Sequence, residues 1–344
     1  MGGLSPIVID GSYGEGGGQI LRYAAALAAV VGEEVRVVNI RSKRPNPGLR
    51  PQHIGGLKIL HQVCGGTVEG LRVGSMEVTM RFGRPKPGEY FYDVGTAGSV
   101  TLVMQTLLPA LAYHGGEYEV TIVGGTDVKW SPTTDYFRHV VLHNLRLVGV
   151  EAELEVVKRG YYPRGGGRVV LRVRDGKLRS SSFSRAEVAR TEVVSVASNL
   201  PAHVAERQAR AIIEGLRREG VSEVERRVER LGPDRAFGPG SSVLVYSETR
   251  ENVRCGGDSI GEKGKPAERV GQEALEKYLE WYRSSAALDT FMSDMIIPFL
   301  FIAEGHSSYT APKMTLHMDS ALYVASRITG RSYRVSEAPT RPRR

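Results

Sequence analysis

The chain has 344 residues, of which 41% are hydrophobic, and a formal net charge of +8. That length allows two or three ordinary domains, or one large domain carrying an insertion. Arginine far outnumbers lysine, which fits an anionic partner such as nucleic acid, or an arginine-rich surface suited to heat. No apolar run reaches the ~20 residues needed to span a bilayer, so no membrane partner is expected. Two cysteines, Cys64 and Cys255, make no disulfide framework. The N-terminus lacks a basic segment followed by a signal-type apolar run, which points to a cytoplasmic protein. The final "RPRR" reads as a basic tail.

In chain order, a strand from Ile7 leads into the loop "GSYGEGGGQ" and then an apolar helix ending near Gly32. The strand "EVRVVNIR" follows, and the loop "SKRPNPGLRPQ" opens a helix that Gly65 stops. Two strand-like stretches, around 67–73 and 76–82, complete the unit. The same order recurs from "YFYDVGTAGS", with helices ending at Gly115 and Gly149. Gly115 follows Gly32 by 83 residues, and Gly149 follows Gly65 by 84. Glycine adopts the left-handed C-cap conformation at low cost, so matched stops signal a structural repeat. A third, shorter copy starts near Phe291, with helices ending at Gly305 and Gly330.

The expected fold class is α/β. Three repeated β-α-β-α-β-β units form a large discontinuous domain, residues 1–183 and 284–344. Residues 184–283 break the period and are expected to form a smaller inserted α/β domain. Within it "EVARTEVVSVASNLP" and "SSVLVYSET" read as strands, and "AHVAERQARAIIEGLRREG" as an amphipathic helix. The insert holds none of the loops read below as nucleotide-binding.

The peculiar residues gather where loops open helices, and helix N-termini offer unpaired N–H groups and partial positive charge to anions. The first opening holds Glu15, Gly16, Gly17, Gly18 and Arg22; the second holds Arg41, Arg44, Arg50, Gln52 and His53. Gln52 and His317 each lie 13 residues before their stop glycine, so the repeat makes them equivalent. "GEGGGQ" is neither a Walker A loop nor a dinucleotide fingerprint. A carboxylate beside phosphate repels it unless a divalent cation intervenes, which makes Glu15 a candidate ligand for Mg²⁺ or Mn²⁺.

Together "DGSYGEGGGQILR", "RPNPGLRPQH", "GTAGSVTLVMQTLLPA", "GGTD" and "RGYYPRGGG" resemble the RNA 3′-terminal phosphate cyclase family, from about residue 7 to 335. The resemblance implies three β-α-β-α-β-β units plus a small α/β insert. It also implies ATP as co-substrate, a divalent cation and an RNA bearing a 3′-terminal phosphate. ATP would adenylylate a histidine, AMP would pass to the RNA 3′-phosphate, and the neighbouring 2′-hydroxyl would close a 2′,3′-cyclic end. By the match to "TLHMDSALYVASRI", His317 takes the nucleophile's place, with Ser320-Ala321 standing where the family has Thr-Asn. The nucleotide would be held through Gln105 and the stretch Phe291, Met292, Ser293, Asp294 and Met295, where Met295 replaces the family's glutamine. Gly16–Gly18 would admit phosphate to the backbone. Arg22, Arg41, Arg44, Arg50, Gln52 and His53 would bind the triphosphate and the RNA end. Asp127 and Asp135 read as turn and helix caps.

Two rival readings share this fold. A non-catalytic ribosome-assembly protein would lack the histidine, and an enolpyruvyl transferase would carry different loops.

Overall fold

The computed structural model describes residues 5–337; the "RPRR" tail lies outside them. The first unit comprises β1 (Ile7–Asp10), α1 (Gly18–Val31), β2 (Val35–Val38), α2 (Pro51–Cys64), β3 (Gly66–Glu69) and β4 (Val78–Phe82). Its sheet runs β1-β2-β4-β3, with β1 parallel to β2 and the other pairs antiparallel. The second unit comprises β5 (Gly88–Asp93), α3 (Val100–His114), β6 (Tyr118–Gly124), α4 (Thr134–Tyr136), α5 (Leu142–Leu147), β7 (Glu151–Lys158) and β8 (Gly167–Arg174). A π-helical turn, Phe137–Val141, joins α4 to α5, so the single helix expected there is locally underwound. The order β5-β6-β8-β7 repeats the first sheet strand for strand, with the same directions. The fold is therefore α/β and built from repeated β-α units.

Gly32, Gly65, Gly115 and Gly330 cap their helices where expected, whereas α5 stops at Val148, one residue before Gly149, and the helix expected to reach Gly305 stops at Ala303. Gly32 and Gly330 take left-handed conformations at φ 71° and 70°. Alternation of buried and exposed residues along β6 and β7 puts one face of the second sheet on the core. Helix α1 is almost wholly buried and packs against α2, α3 and α10 (Leu316–Thr329). This central position explains its apolar composition on all sides.

The third unit is abbreviated. It keeps α8 (Met292–Met295), α9 (Ile297–Ile302) and α10. Its strands shrink to short pairings: Ser308 bridges Ser182, and the Ala287 and Leu288 amides donate to the Thr310 carbonyl at 3.0 and 3.2 Å.

Between the second and third units lie β9 (Val188–Ser198), α6 (Ala202–Arg218), β10 (Glu225–Leu231), β11 (Gly240–Thr249), β12 (Arg254–Ile260) and α7 (Ala267–Tyr282). Their sheet runs β10-β9-β11-β12, an order distinct from that of the repeats. This segment is bonded tightly to its surroundings. The Asp258 carboxylate accepts from the Thr133 amide at 2.7 Å, and Asn144 exchanges two hydrogen bonds with Arg254 backbone. No described helix is long and apolar enough to cross a membrane.

A buried ion cluster fixes the second unit. Arg159, from "RGYYPRGGG", meets Asp127 at 3.1 Å and Asp135 at 2.8 Å, all three enclosed. Burial pushes the Asp135 carboxyl up, but Arg159 outweighs it and holds the group below the usual range. Asp127 caps the start of α4 through the Thr134 amide at 3.0 Å, as expected, while also binding Arg159. Replacing Arg159 with Ala would strand two buried carboxylates, so Arg159→Ala should lower unfolding stability by about 3–5 kcal/mol. Urea denaturation checks this; a loss below about 1 kcal/mol would mean that the carboxylates reach water.

Candidate active site

The loop 11–17 is braced from below. Asp10 Oδ1 accepts from the Ser12 amide and hydroxyl at 2.9 and 2.8 Å, and from Asn39 at 3.2 Å. Gly14 and Gly16 adopt positive φ, 53° and 61°, which only glycine does readily. A Cβ at Gly14 would also stand 2.8 Å from Ser320 Oγ on α10. The rings of Tyr13 and Tyr323 stack at 4.1 Å, and Tyr13 donates to Asp319 at 3.3 Å. Loop and α10 are thereby locked together.

That locking puts His317 against Glu15, at 2.7 Å between Nε2 and Oε2. The other ring nitrogen, Nδ1, lies 3.4 Å from Asp294 Oδ2. The imidazole is therefore bracketed by two carboxylates while its side chain stays half exposed. Hydrogen bonding to Asp294 raises the His317 pKa above its ordinary 6.5; burial opposes this, and the charges of Asp294 and Glu15 add to it. Thr315 caps α10 by accepting from the Met318 amide at 3.0 Å. His317 and Gln52 are each the second residue of their helices, α10 and α2, as the repeat required.

Asp294 is buried. Burial raises its pKa, although His317, Arg22 and Gln19 favour the carboxylate. Gln19 Nε2 donates to it at 3.3 Å, and Tyr23 donates to its backbone carbonyl at 3.3 Å. The sequence reading assigned neither residue a role. Their signal is spacing: two polar groups four residues apart on an otherwise apolar helix share one face.

Arg44 donates to the second oxygen of Glu15, so "SKRPNPGLRPQ" joins the same centre. Arg22 lies at its base with Nε enclosed and without a hydrogen-bond partner among the described residues. Glycine at Gly17, the N-cap of α1, leaves the first amides of that helix without a side-chain cap. These are features an anion would satisfy.

Other expected residues stand further back. Arg41 turns onto the Asn46 and Gly48 carbonyls at 2.6 and 3.2 Å and shapes its own loop. His53 is buried; burial, then the charges of Arg22, Arg41 and Arg50, push its pKa down to about 3. Its Nδ1 accepts from the Arg50 amide at 3.1 Å, and its Nε2 lies where a Cβ at Gly18 would be, 2.1 Å away. His53 is thus a neutral packing group that fixes α2 under α1, and no open cation for phosphate. Gln52 is exposed and adjoins "GTAGS", with its Cβ 3.7 Å from the Cβ position of Gly98.

In the stretch 291–295, Met292 and Ser293 are fully enclosed and do not reach the cleft. Met295 is buried against Gln105, whose Nε2 lies 3.5 Å from its sulfur; the two fill one apolar contact. Phe291 is 38% exposed, so only its ring and the Asp294 carboxylate offer contact surface. Lys277 of the inserted segment stands 5.2 Å over that ring. The insert therefore reaches the stretch 291–295, a contact that no motif in residues 184–283 foretells.

No group of three or more His, Cys, Asp or Glu side chains with metal-holding geometry occurs among the described residues.

The family model for RNA 3′-terminal phosphate cyclase matches residues 13–335. The chain belongs to this family. It is 47% identical over 324 residues to the RNA 3′-terminal phosphate cyclase of Staphylothermus marinus, covering 93% of this chain and 91% of that protein. The Pyrococcus furiosus protein of that name is 45% identical over 332 residues, covering 96% and 95%. That of Thermococcus kodakarensis is 44% identical over 340 residues, covering 98% and 96%. Membership in the family makes the chain an enzyme of this class.

The bracket can be tested directly. In an NMR titration the His317 imidazole should lose its proton above pH 6.5, because both neighbouring carboxylates favour the charged ring. Asp294→Asn removes the principal acceptor and should move the midpoint to lower pH. An unchanged midpoint would show that Asp294 does not engage the ring.

Proposed function

We propose that the chain converts an RNA 3′-terminal phosphate into a 2′,3′-cyclic phosphodiester, using ATP and a covalent histidinyl-AMP on His317. The observation that carries this reading is an imidazole held between two carboxylates, beside an enclosed arginine whose Nε has no partner among the described residues.

The residues divide the work as follows. Asp294 accepts from Nδ1–H and so fixes the tautomer in which Nε2 carries the lone pair. For Nε2 to attack, its proton has to pass to Glu15 Oε2, and that carboxyl then moves off the ring while Arg44 keeps the other Glu15 oxygen. Nε2 bonds to the α-phosphorus of ATP, and the bond to the β-phosphate oxygen breaks. Pyrophosphate leaves with the electron pair. An oxygen of the RNA 3′-phosphate then attacks the same phosphorus, the N–P bond breaks, and the ring recovers its pair. This gives RNA(3′)pp(5′)A. The 2′-oxygen, giving up its proton, attacks the 3′-phosphorus and AMP departs. Arg22, the amides at the start of α1 and Arg44 stabilise negative charge through these transfers. Phe291, 38% exposed, would stack on the adenine, while Gln105 backs Met295 at the other end of the same stretch.

Glu15 offers one hard oxygen donor to Mg²⁺ or Mn²⁺. With no multi-residue metal cluster nearby, phosphate and water oxygens would complete the shell, as Mg²⁺ commonly accepts. Such an ion would supply charge neutralisation on the triphosphate.

His317→Asn should abolish labelling by α-labelled ATP and cyclisation together, a loss on the order of 10⁴-fold or more, while ATP binding survives. Retention of more than about a hundredth of the rate would assign the nucleophile elsewhere, and buried, neutral His53 is poorly placed for it. Arg22→Ala should slow self-labelling by about 10²–10³-fold, the scale of one lost charge-stabilising donor. Single-turnover labelling measures it; an unchanged rate would remove Arg22 from the phosphate site.

A further inference from the structure

We propose that the groove between β7 and the inserted segment holds the nucleotides upstream of the reacting 3′ end, as a single-stranded RNA track. This rests on the reading that an RNA end reacts at His317.

Strand β7 is the free edge of the second sheet. Its flank borders a cavity of about 770 Å³. The inserted segment supplies Arg235 and Arg254 on the far wall, while Arg138, His139 and Arg146 come from the α4–α5 side. Five arginines line the groove against two carboxylates, Glu153 and Glu155, and Glu155 is taken up by Arg172 at 2.8 Å. Arg254 is engaged by Glu248 at 2.7 Å, whereas Arg146 meets Glu151 only at 3.8 Å. Arg138 and Arg235 are exposed and make no ion pair among the described residues. Guanidinium groups without carboxylate partners suit phosphodiesters.

A chain of close packing contacts links the groove to the candidate active site. Ala236 forms an isolated bridge with Arg159, with bonds of 2.9 Å from the Arg159 amide to the Arg235 carbonyl and 2.8 Å from the Phe237 amide to the Arg159 carbonyl. Arg235 and Phe237 are both exposed, while Ala236 between them is buried. Phe237 is 49% exposed, with Lys158 at 5.9 Å from its ring. The ring lies on Gly166, where a Cβ would come within 2.7 Å of it. Gly165 packs as closely on Thr96 and Ala97 of "GTAGS", and Gly98 of that loop adjoins Gln52. Gln52 precedes His53, which lies under Gly18 at the start of α1. Tyr162, 81% exposed, stands in the same Gly-rich loop.

Exposed aromatic rings interleaved with cations, next to an arginine-lined groove, match the chemistry of single-stranded nucleic acid. Bases stack on the rings whatever their identity, and the cations follow the backbone. An acidic peptide would use the arginines but has no general use for the rings.

The test compares two 3′-phosphate oligoribonucleotides, a dinucleotide and a twelve-mer, on the full chain and on the triple variant Arg138→Ala, Arg235→Ala, Phe237→Ala. Expected is a rise in KM for the twelve-mer of about tenfold or more, from one lost stacking platform and two phosphate contacts. The salt dependence of its binding should weaken, by about 0.7 in log–log slope per lost contact. KM for the dinucleotide and ATP self-labelling should not change, which also shows that the variant is folded. An unchanged twelve-mer KM and salt slope, with cyclisation intact, overturns the track and leaves the cyclase reading standing. So does competition for the groove by an acidic peptide but not by unphosphorylated RNA. If the native chain cyclises neither oligonucleotide, yet fluorescence anisotropy shows twelve-mer binding that needs these residues, the track stands and the cyclase reading falls.

Discussion

The His317 imidazole is held by two carboxylates, one from a glycine loop and one from the short helix α8, and much of the surrounding structure serves to keep those carboxylates in place. Asp294 is buried, where an unsatisfied carboxylate would be costly. Gln19 and His317 supply its side-chain partners, and Tyr23 holds its carbonyl. Glu15 sits on a glycine loop too short of side chains to position itself. Its place comes from Arg44 on one side and from the Tyr13–Tyr323 stack beneath. The geometry of the imidazole is thus a property of three loops and two helices together.

The inserted segment is coupled to this centre through Asp289. That carboxylate is fully enclosed, and burial pushes its pKa up to about 6. It accepts from Tyr136 at 2.7 Å, from the Gly256 amide of β12 at 2.9 Å, and from the Phe291 and Met292 amides at 3.0 and 2.9 Å. The last two bonds set the start of α8, and α8 carries Asp294. One enclosed carboxylate therefore ties the second repeat, the insert and the carboxylate beside His317. The Arg159 cluster acts nearby, fixing α4 against the Gly-rich loop 159–167. Both arrangements trade desolvation cost for a unique geometry.

The abbreviated third unit has a physical reading. It contributes α10 and α8 to the helical layer around α1, and the short pairings at Ser308 and Thr310 suffice to anchor them. The first and second units need four strands each because their sheets carry the cores beneath α1, α2 and α3.

By itself the sequence determined the repeat, the α/β class and the loops that meet at the site. Spacings of glycine stops and apolar helices are local, and local propensity and burial pattern specify them. The same spacing made Gln52 and His317 equivalent, and the structure puts both at the second position of a helix. The family motifs pointed to His317, Glu15 and Asp294 as residue types, without their contacts. Only the tertiary structure decided which of the assembled polar residues face the cleft. His53 and Arg22 follow similar loops, yet one is a neutral packing group and the other an enclosed cation with a free donor. Ser293 and Asp294 are neighbours in sequence, but one points into the core and the other toward the imidazole. Gln19, Tyr23 and Lys277 join the site from elements whose sequences show only a helix. Burial, hydrogen-bond partners and charge environment arise from packing between distant segments, and such packing leaves no periodic trace in the chain.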